Sequence, residues 1–219
     1  MKLKWYGHSS FLLTSEEGTR VLIDPFNKFL GYRQPSVEVD ILTVTHDHRD
    51  HNQIQVATGS YLMVHRPESY EKNGISVHGV PTFHDKVEGK KRGSNIVFTL
   101  QIDGISVCHC GDLGHLLSEE QIQAIGPVDV LIVPAGGGMT LNGAEAAQVI
   151  KQLNPKIAIP MHYRTKALGL VGRLLFDKAD KFIAASGCRH VELKELELTK
   201  ESLSGYTGQT VVTLQYQQQ

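Results

Sequence analysis

The chain has 219 residues, a formal net charge of −1, 3 cysteines and 11 histidines. That length suits one domain, read as residues 1–219, and a near-neutral balance with 21% charged and 41% hydrophobic residues excludes a disordered chain and argues against a polyanion binder. Three cysteines cannot build a disulfide framework, which suits a reducing cytoplasm, whereas 11 histidines against 22 lysines plus arginines is an excess that asks for a reason.

The opening MKLKWYGHSSFLL reads as a first strand and turn, because Gly7, His8, Ser9 and Ser10 interrupt its apolar run and no cleavage signal follows. No stretch approaches the roughly 18 apolar residues of a transmembrane helix, so a soluble, cytoplasmic protein is expected. Strand-length apolar runs follow at Phe11–Leu13, Arg20–Ile23, Ile41–Thr45, Tyr61–Val64, Ile75–Val80, Ile96–Ile102, Ile105–Cys108, Val128–Val133 and Ile157–Met161. Helical patterns are predicted over Ser118–Ile125, which opens with Ser and two acids, over Asn142–Leu153, stopped by Asn154-Pro155, and over Thr165–Asp177. From about His190 the alternating VELKELEL and TVVTLQY read as edge strands, and residues 217–219 as a frayed tail. Strands first, then strand alternating with helix, predict a layered α/β architecture with sheets inside and helices outside.

The strongest motif is Thr45-His46-Asp47-His48-Arg49-Asp50-His51. Residues two apart in extended chain share a side, so His46 and His48 can grip one ion while Asp50 and His51 turn toward a second. Imidazole and carboxylate without thiolate suit zinc, with manganese or iron as alternatives. Further ligand types follow strand runs: His84 after GVPTF, Asp112 after ISVCHCG and His162 after KIAIPM. Sites of open α/β sheets form beyond the carboxyl ends of strands. His109 competes with His84 for a place in the set, although alternation makes it hard for His109 and Asp112 to share a face. Asp24 could support a ligand histidine from behind or simply start a turn before Pro25. His8 could stand near the ions or be structural, and His115 could lie at the rim. His65, His78 and His190 show no matching context. Cys108 and Cys110 read as buried thiols.

With HDHRDH matching the HxHxDH signature, and PTFHD, CGDLG and PMHY following in order after GHSSFLL and LIDPF, the sequence resembles the metallo-β-lactamase superfamily of metal-dependent hydrolases over roughly residues 1–187. It looks nearest to the small hydrolases related to ascorbate-6-phosphate lactonase and N-acyl-phosphatidylethanolamine phospholipase D. The resemblance implies a four-layer αββα sandwich with two divalent ions at one edge. It implies that His46, His48 and His84 hold one ion, that Asp50, His51 and His162 hold the other, and that Asp112 bridges them. It also implies that Asp50 and Asp112 serve catalysis and that His8 lies near the ions.

Two divalent ions carry four positive charges, and Asp50, Asp112 and a bridging hydroxide return three, so the site should favour anionic substrates. Metal binding lowers the pKa of water toward about 7, which supplies hydroxide without a Ser or Cys nucleophile. The expected reaction is hydrolysis of a small anionic ester, lactone or phosphodiester. A nuclease is the alternative within enzymes, disfavoured by the short, near-neutral chain, and nucleic acid and membrane are not expected partners. A non-catalytic ligand-binding module is the alternative outside them, disfavoured because all seven ligand positions are filled. A homo-oligomer is left open. Lys86, Lys90, Lys91 and Arg92, or Arg164, Lys166 and Arg173, could meet a substrate anion or be solvated loop.

Overall fold

Short apolar runs broken by turn residues cannot each bury themselves, and the chain stacks them into two facing sheets. The computed structural model describes residues 1–29 and 31–217. One sheet orders the strands Leu196–Glu197, Lys2–Gly7, Ser10–Thr14, Arg20–Ile23, Ile41–Thr43 and Leu62–Val64. The other orders Ser69–Lys72, Ile75–Phe83, Ser94–Ile102, Ile105–His109, Val130–Pro134, Ile157–Met161, Thr210–Leu214 and Arg189–Leu193. It begins as an antiparallel meander and turns parallel from Ile105–His109 onward. Every residue of Val130–Pro134 and Ile157–Met161 is buried, the signature of parallel strands covered on both faces.

Between the sheets, Leu3, Trp5, Phe11 and Ile23 meet Phe98, Leu100, Ile132 and Ile159 in the main core. Truncating a ring such as Phe98 to alanine in a core of this kind costs about 3–5 kcal/mol. The opposite face of the eight-stranded sheet packs Leu131, Val133 and Ala158 against Ile125, Val149, Ile150 and Phe182 of three helices, Glu119–Ile125, Gly143–Leu153 and Ala179–Ser186. The outer face of the six-stranded sheet, with Tyr6, Leu12, Leu22 and Leu42, packs against Val37, Val39, Val56 and Ala57. These come from short extended segments and a single 3-10 turn, so this outer layer is thin among the described residues. The α/β sandwich expected from the sequence is thus present, with one helical flank thick and the other reduced.

Both early helices start where the sequence places them. Ser118 with Gln121, and Asn142 with Glu145, form reciprocal capping boxes that satisfy the first backbone donors. The pattern over Thr165–Asp177 is instead a 3-10 turn, Lys166–Leu168, followed by a short helix, Gly169–Leu175. Gly169, at φ 55°, breaks the helix. Leu170 and Leu174, 75% and 88% exposed, give it no apolar face to bury. The helix Ala179–Ser186 is unannounced by a strong pattern and is anchored by buried Phe182. Thr210–Leu214, expected at an edge, lies inside the sheet between Ile157–Met161 and Arg189–Leu193, because all five of its residues are buried. Arg189–Leu193 and Leu196–Glu197 do lie at edges. Gln217, expected to fray, is tied by its N–H to the Trp5 carbonyl at 2.8 Å, and Gln218 and Gln219 lie outside the described residues.

Six strands deliver polar side chains at their carboxyl ends. Lys2–Gly7 is followed by His8, Arg20–Ile23 by Asp24, and Ile41–Thr43 by the His46–His51 loop. Ile75–Phe83 is followed by His84, Ile105–His109 by Asp112, and Ile157–Met161 by His162. The two sheets therefore empty their strand exits onto a shared edge.

Candidate metal centre

The backbone at this edge is held in costly conformations. His8, Asp24 and His162 adopt φ of 51°, 46° and 53°, a left-handed region that non-glycine residues rarely enter. Such strain, about 1–3 kcal/mol per residue, persists where surrounding structure over-determines it. Here the His162 N–H donates to the His8 carbonyl at 3.2 Å, and the Trp5 indole N–H donates to the same carbonyl at 3.1 Å. Gly136 lets the chain pass directly beneath His162: a Cβ there would lie 2.0 Å from the His162 carbonyl oxygen. Gly136 thus gives the close backbone approach that seats His162.

Asp112 is the centre of the cluster. Its Oδ2 lies 3.1 Å from His84 Nε2, 3.3 Å from His162 Nε2, 3.4 Å from His51 Nε2 and 4.0 Å from His46 Nε2. Three sets of side chains bring ligand atoms within 4.8 Å of one another: His46, His48 and His84; His46, His51 and Asp112; and His8, His51 and His162. All are buried except His48, which is exposed. Asp50 approaches the third set, its Oδ2 3.1 Å from His8 Nε2 and 3.9 Å from His51 Nε2.

Behind the cluster, Asp24 orients His51 and, through Thr45, His46. It is fully buried, and its Oδ2 accepts from His51 Nδ1 at 2.9 Å and from the Thr45 hydroxyl at 2.7 Å. The Thr45 oxygen in turn accepts from His46 Nδ1 at 3.0 Å. This network places a proton on Nδ1 of both rings and turns both Nε2 atoms toward Asp112. Asn95 holds Asp112 itself: its side-chain oxygen accepts the Asp112 N–H at 2.9 Å, and its amide donates to Thr82 and to the Cys110 carbonyl. Neither Thr45 nor Asn95 stood out in the sequence, because each is a single small polar residue beside an apolar strand.

His109 is placed elsewhere. Its Nε2 faces the Ser9 carbonyl at 3.0 Å and its Nδ1 accepts the Gly111 N–H at 3.1 Å, so both ring nitrogens are committed. The structure therefore sets His84, not His109, beside His46 and His48. His115 is likewise occupied, accepting the Phe83 N–H and facing the Leu116 carbonyl. His190 bonds Thr213 and His78 bonds Ser69, both outside the cluster. Cys108 and Cys110 are free, buried thiols.

The cluster's ionisation suits a cation. Burial, with the nearby His51, pushes His46 down to about 3, and burial, with the nearby His162, pushes His8 down to about 4. Both rings are then neutral, as metal ligation requires. Burial alone would raise Asp50 and Asp112, but the His8 hydrogen bond holds Asp50 below its ordinary value and the surrounding histidines hold Asp112 well below. Among the described residues, His46 Nε2, His51 Nε2, His84 Nδ1, His162 Nδ1 and Asp112 Oδ1 are buried without a hydrogen-bond partner. Of these, His46 Nε2 and His51 Nε2 face Asp112, and leaving them unpartnered is costly unless a cation gathers them. The donor set, imidazole plus carboxylate, fits a zinc, manganese or iron ion.

The two basic segments are held by contacts of their own. Asp85 accepts four backbone N–H bonds, from Val87, Gly89, Lys91 and Arg92, and so shapes the loop that carries Lys90, while Lys86 pairs with Glu145. Arg164, Lys166 and Arg173 line a separate groove of about 1280 Å³ with Trp5, Tyr163 and Tyr216. No described helix is long and apolar enough to cross a membrane.

Comparison with known proteins points to one family. Residues 2–162 match the Beta-lactamase superfamily domain. A Thermotoga maritima crystal structure, described as a candidate Zn-dependent hydrolase of the metallo-β-lactamase superfamily, is 36% identical with a TM-score of 0.78, covering 97% of both chains. The sequence is also similar to a UPF0173 metal-dependent hydrolase of Carboxydothermus hydrogenoformans, 30% identical over 75% of this chain and 85% of that one. A relative from Thermococcus kodakarensis with the same description is 29% identical over 90% of this chain and 100% of its own. With the domain match, the sandwich and a His/Asp cluster at its edge in agreement, the chain belongs to the metallo-β-lactamase superfamily of metal-dependent hydrolases.

Proposed function

We propose that the chain is a two-metal hydrolase of small anionic esters, lactones or phosphodiesters. In this reading His46, His48 and His84 hold one divalent ion, His51, His162 and Asp50 hold the second, and Asp112 is shared. The observation that carries it is the position of Asp112 Oδ2, within 3.1–3.4 Å of His84, His162 and His51 and 4.0 Å of His46. One carboxylate at the meeting point of both histidine groups is the arrangement a shared ligand needs. His8, 3.1 Å from Asp50, aims that carboxylate and is added to the set as a positioning residue.

Divalent ions held there would supply a hydroxide near neutral pH and polarise the bond to be broken. The chain's own residues do the rest. Asp24 fixes the tautomers of His51 and, through Thr45, of His46. Phe29 and Phe176 lie against His8, with ring centroids at 4.3 and 6.3 Å, and Phe176 also covers His162 at 5.0 Å, so the His8 and His162 rings are buried. Asp50 and Asp112 return only two of four cationic charges, which supports an anionic substrate.

The test is metal content and turnover together. Protein reconstituted with zinc or manganese is expected to bind two ions per chain and to hydrolyse a phosphodiester such as bis-p-nitrophenyl phosphate. Clearly less than one ion per chain overturns the assignment. Loss of one ion in His84→Ala and of the other in His162→Ala separates the two positions.

A further inference from the structure

A pocket of about 640 Å³ opens beside the cluster, lined by Asn27, Lys28, Phe29, Arg49, Asp50 and Gln53. Its volume is that of a small-molecule site. Asp50 brings the pocket to the cluster, and Phe29 ties it there a second time through its 4.3 Å contact with His8. Lys28 and Arg49 are exposed, and among the described residues neither has an acidic partner within ion-pair distance. Arg49 occupies a position between the ligand-type residues of the HDHRDH motif. The other such residue, Asp47, is engaged by Asn52. Lys28 sits on the short ribbon Lys28–Phe29 paired with Tyr32–Arg33, so two separate segments each turn one cation into one pocket.

The one negative charge in the lining, Asp50, is already bonded to His8. That leaves two fixed cations, two side-chain amides able to donate, and one aromatic face. Arginine's planar fork and a lysine ammonium are the side chains that capture oxyanions. Resting on the reading of the cluster as a hydrolytic centre, we infer that Lys28 and Arg49 form the oxyanion-recognition end of its substrate pocket. They select a small ester that carries a phosphate or carboxylate charge and rests an apolar group on Phe29. The basic loop 86–92 and the Arg164–Arg173 groove do not line this pocket.

The experiment pairs binding with turnover. Calorimetry on metal-loaded protein measures phenyl phosphate and benzoate, with benzyl alcohol as the neutral control. Turnover compares methyl p-nitrophenyl phosphate, an anion, with dimethyl p-nitrophenyl phosphate, which is neutral and has the same leaving group. Lys28→Ala and Arg49→Ala are each expected to weaken phenyl phosphate about tenfold and to reduce the anionic-over-neutral preference by a similar factor, mainly through KM. Arg49→Lys should restore part of both. A stronger effect on phenyl phosphate than on benzoate identifies phosphate as the charge selected, and the reverse identifies carboxylate. Unchanged binding and an unchanged charged-to-neutral ratio in both alanine variants overturn the pocket assignment while leaving the hydrolase standing. Absent turnover of either ester, with binding still lost in the variants, sinks the hydrolase reading and sustains the pocket.

Discussion

Asp24 accepts a 2.9 Å hydrogen bond from His51, 27 positions along the chain, with both side chains wholly shielded from solvent. The same carboxylate takes the Thr45 N–H and hydroxyl at 2.8 and 2.7 Å and so reaches His46. One buried charge therefore sets the orientation of both His51 and His46. Partners of this kind typically change metal affinity 10–100-fold when altered. Asp24→Asn keeps the shape but loses the charge and one strong acceptor. It should weaken affinity for zinc by roughly that factor in a chelator competition, with the far-ultraviolet spectrum unchanged. Wild-type affinity in the variant would show that Asp24 serves only the turn before Pro25.

Asp112→Ala removes the carboxylate that four histidines surround. In the two-metal reading it should bring metal content below that of either His84→Ala or His162→Ala and reduce turnover to background. A variant that keeps two ions per chain would remove Asp112 from the shared position.

Much of this site is legible in the sequence, and the reason is topological. His84, Asp112 and His162 each follow an apolar run, and a run of that kind becomes a strand whose exit is fixed by the sheet. Their convergence follows from strand order. What the sequence hides is contact between residues whose separation carries no pattern. Asn95 opens as one polar residue in SNIVFTLQI, yet its two ends hold Asp112 and Cys110. Lys28 and Arg49 meet only because a two-residue ribbon folds beside the motif loop. The alternating TVVTLQY suggests an edge, but Thr210 and Thr213, its polar positions within Thr210–Leu214, are buried between two neighbouring strands.

Asn95 gives a prediction about stability and geometry together. Asn95→Ala orphans the Asp112 N–H and the Cys110 carbonyl inside the sandwich, while the Thr82 hydroxyl keeps its bond to the carbonyl of residue 95, and an unsatisfied buried group costs about 1–3 kcal/mol. Denaturant unfolding of metal-free protein should show a loss of that size. Reduced metal affinity in the same variant would report displacement of Asp112. A loss below about 0.5 kcal/mol would mean that solvent replaces the missing amide.

His51 couples metal uptake to pH. Burial pulls its pKa down, but the Asp112 and Asp24 carboxylates outweigh burial and hold it well above 6.5 in metal-free protein. A raised pKa stabilises the metal-free fold fully below the unfolded value, and that contribution is lost as pH rises through the folded value. The proton must leave before Nε2 can ligate, so metal competes with it. Zinc affinity should rise with pH up to tenfold per unit below the raised pKa, and titrations in buffers of different ionisation enthalpy should report at least one proton released per chain. Pairing insensitive to pH between 6 and 8 would show that His51 is already neutral before metal arrives.

Asp85, next to His84 in the chain, supplies the opposite sign. Burial would raise its carboxyl, but four backbone N–H donors, at 2.8–2.9 Å from Val87, Gly89, Lys91 and Arg92, hold it down to about 2 from 3.8. A depressed pKa stabilises the loop above 3.8, and the contribution disappears as pH falls toward 2. Hydrogen exchange at the four amides should therefore lose protection selectively over that acid range, before the sheets open. Asp85→Ala should produce the same loss at neutral pH without changing metal content, since Asp85 is outside the groups that could hold an ion. Four amides as protected in the variant as in the parent would mean that the loop is shaped by its own backbone bonds, such as Gly93 N–H to the Gly89 carbonyl at 2.9 Å, and not by the carboxylate.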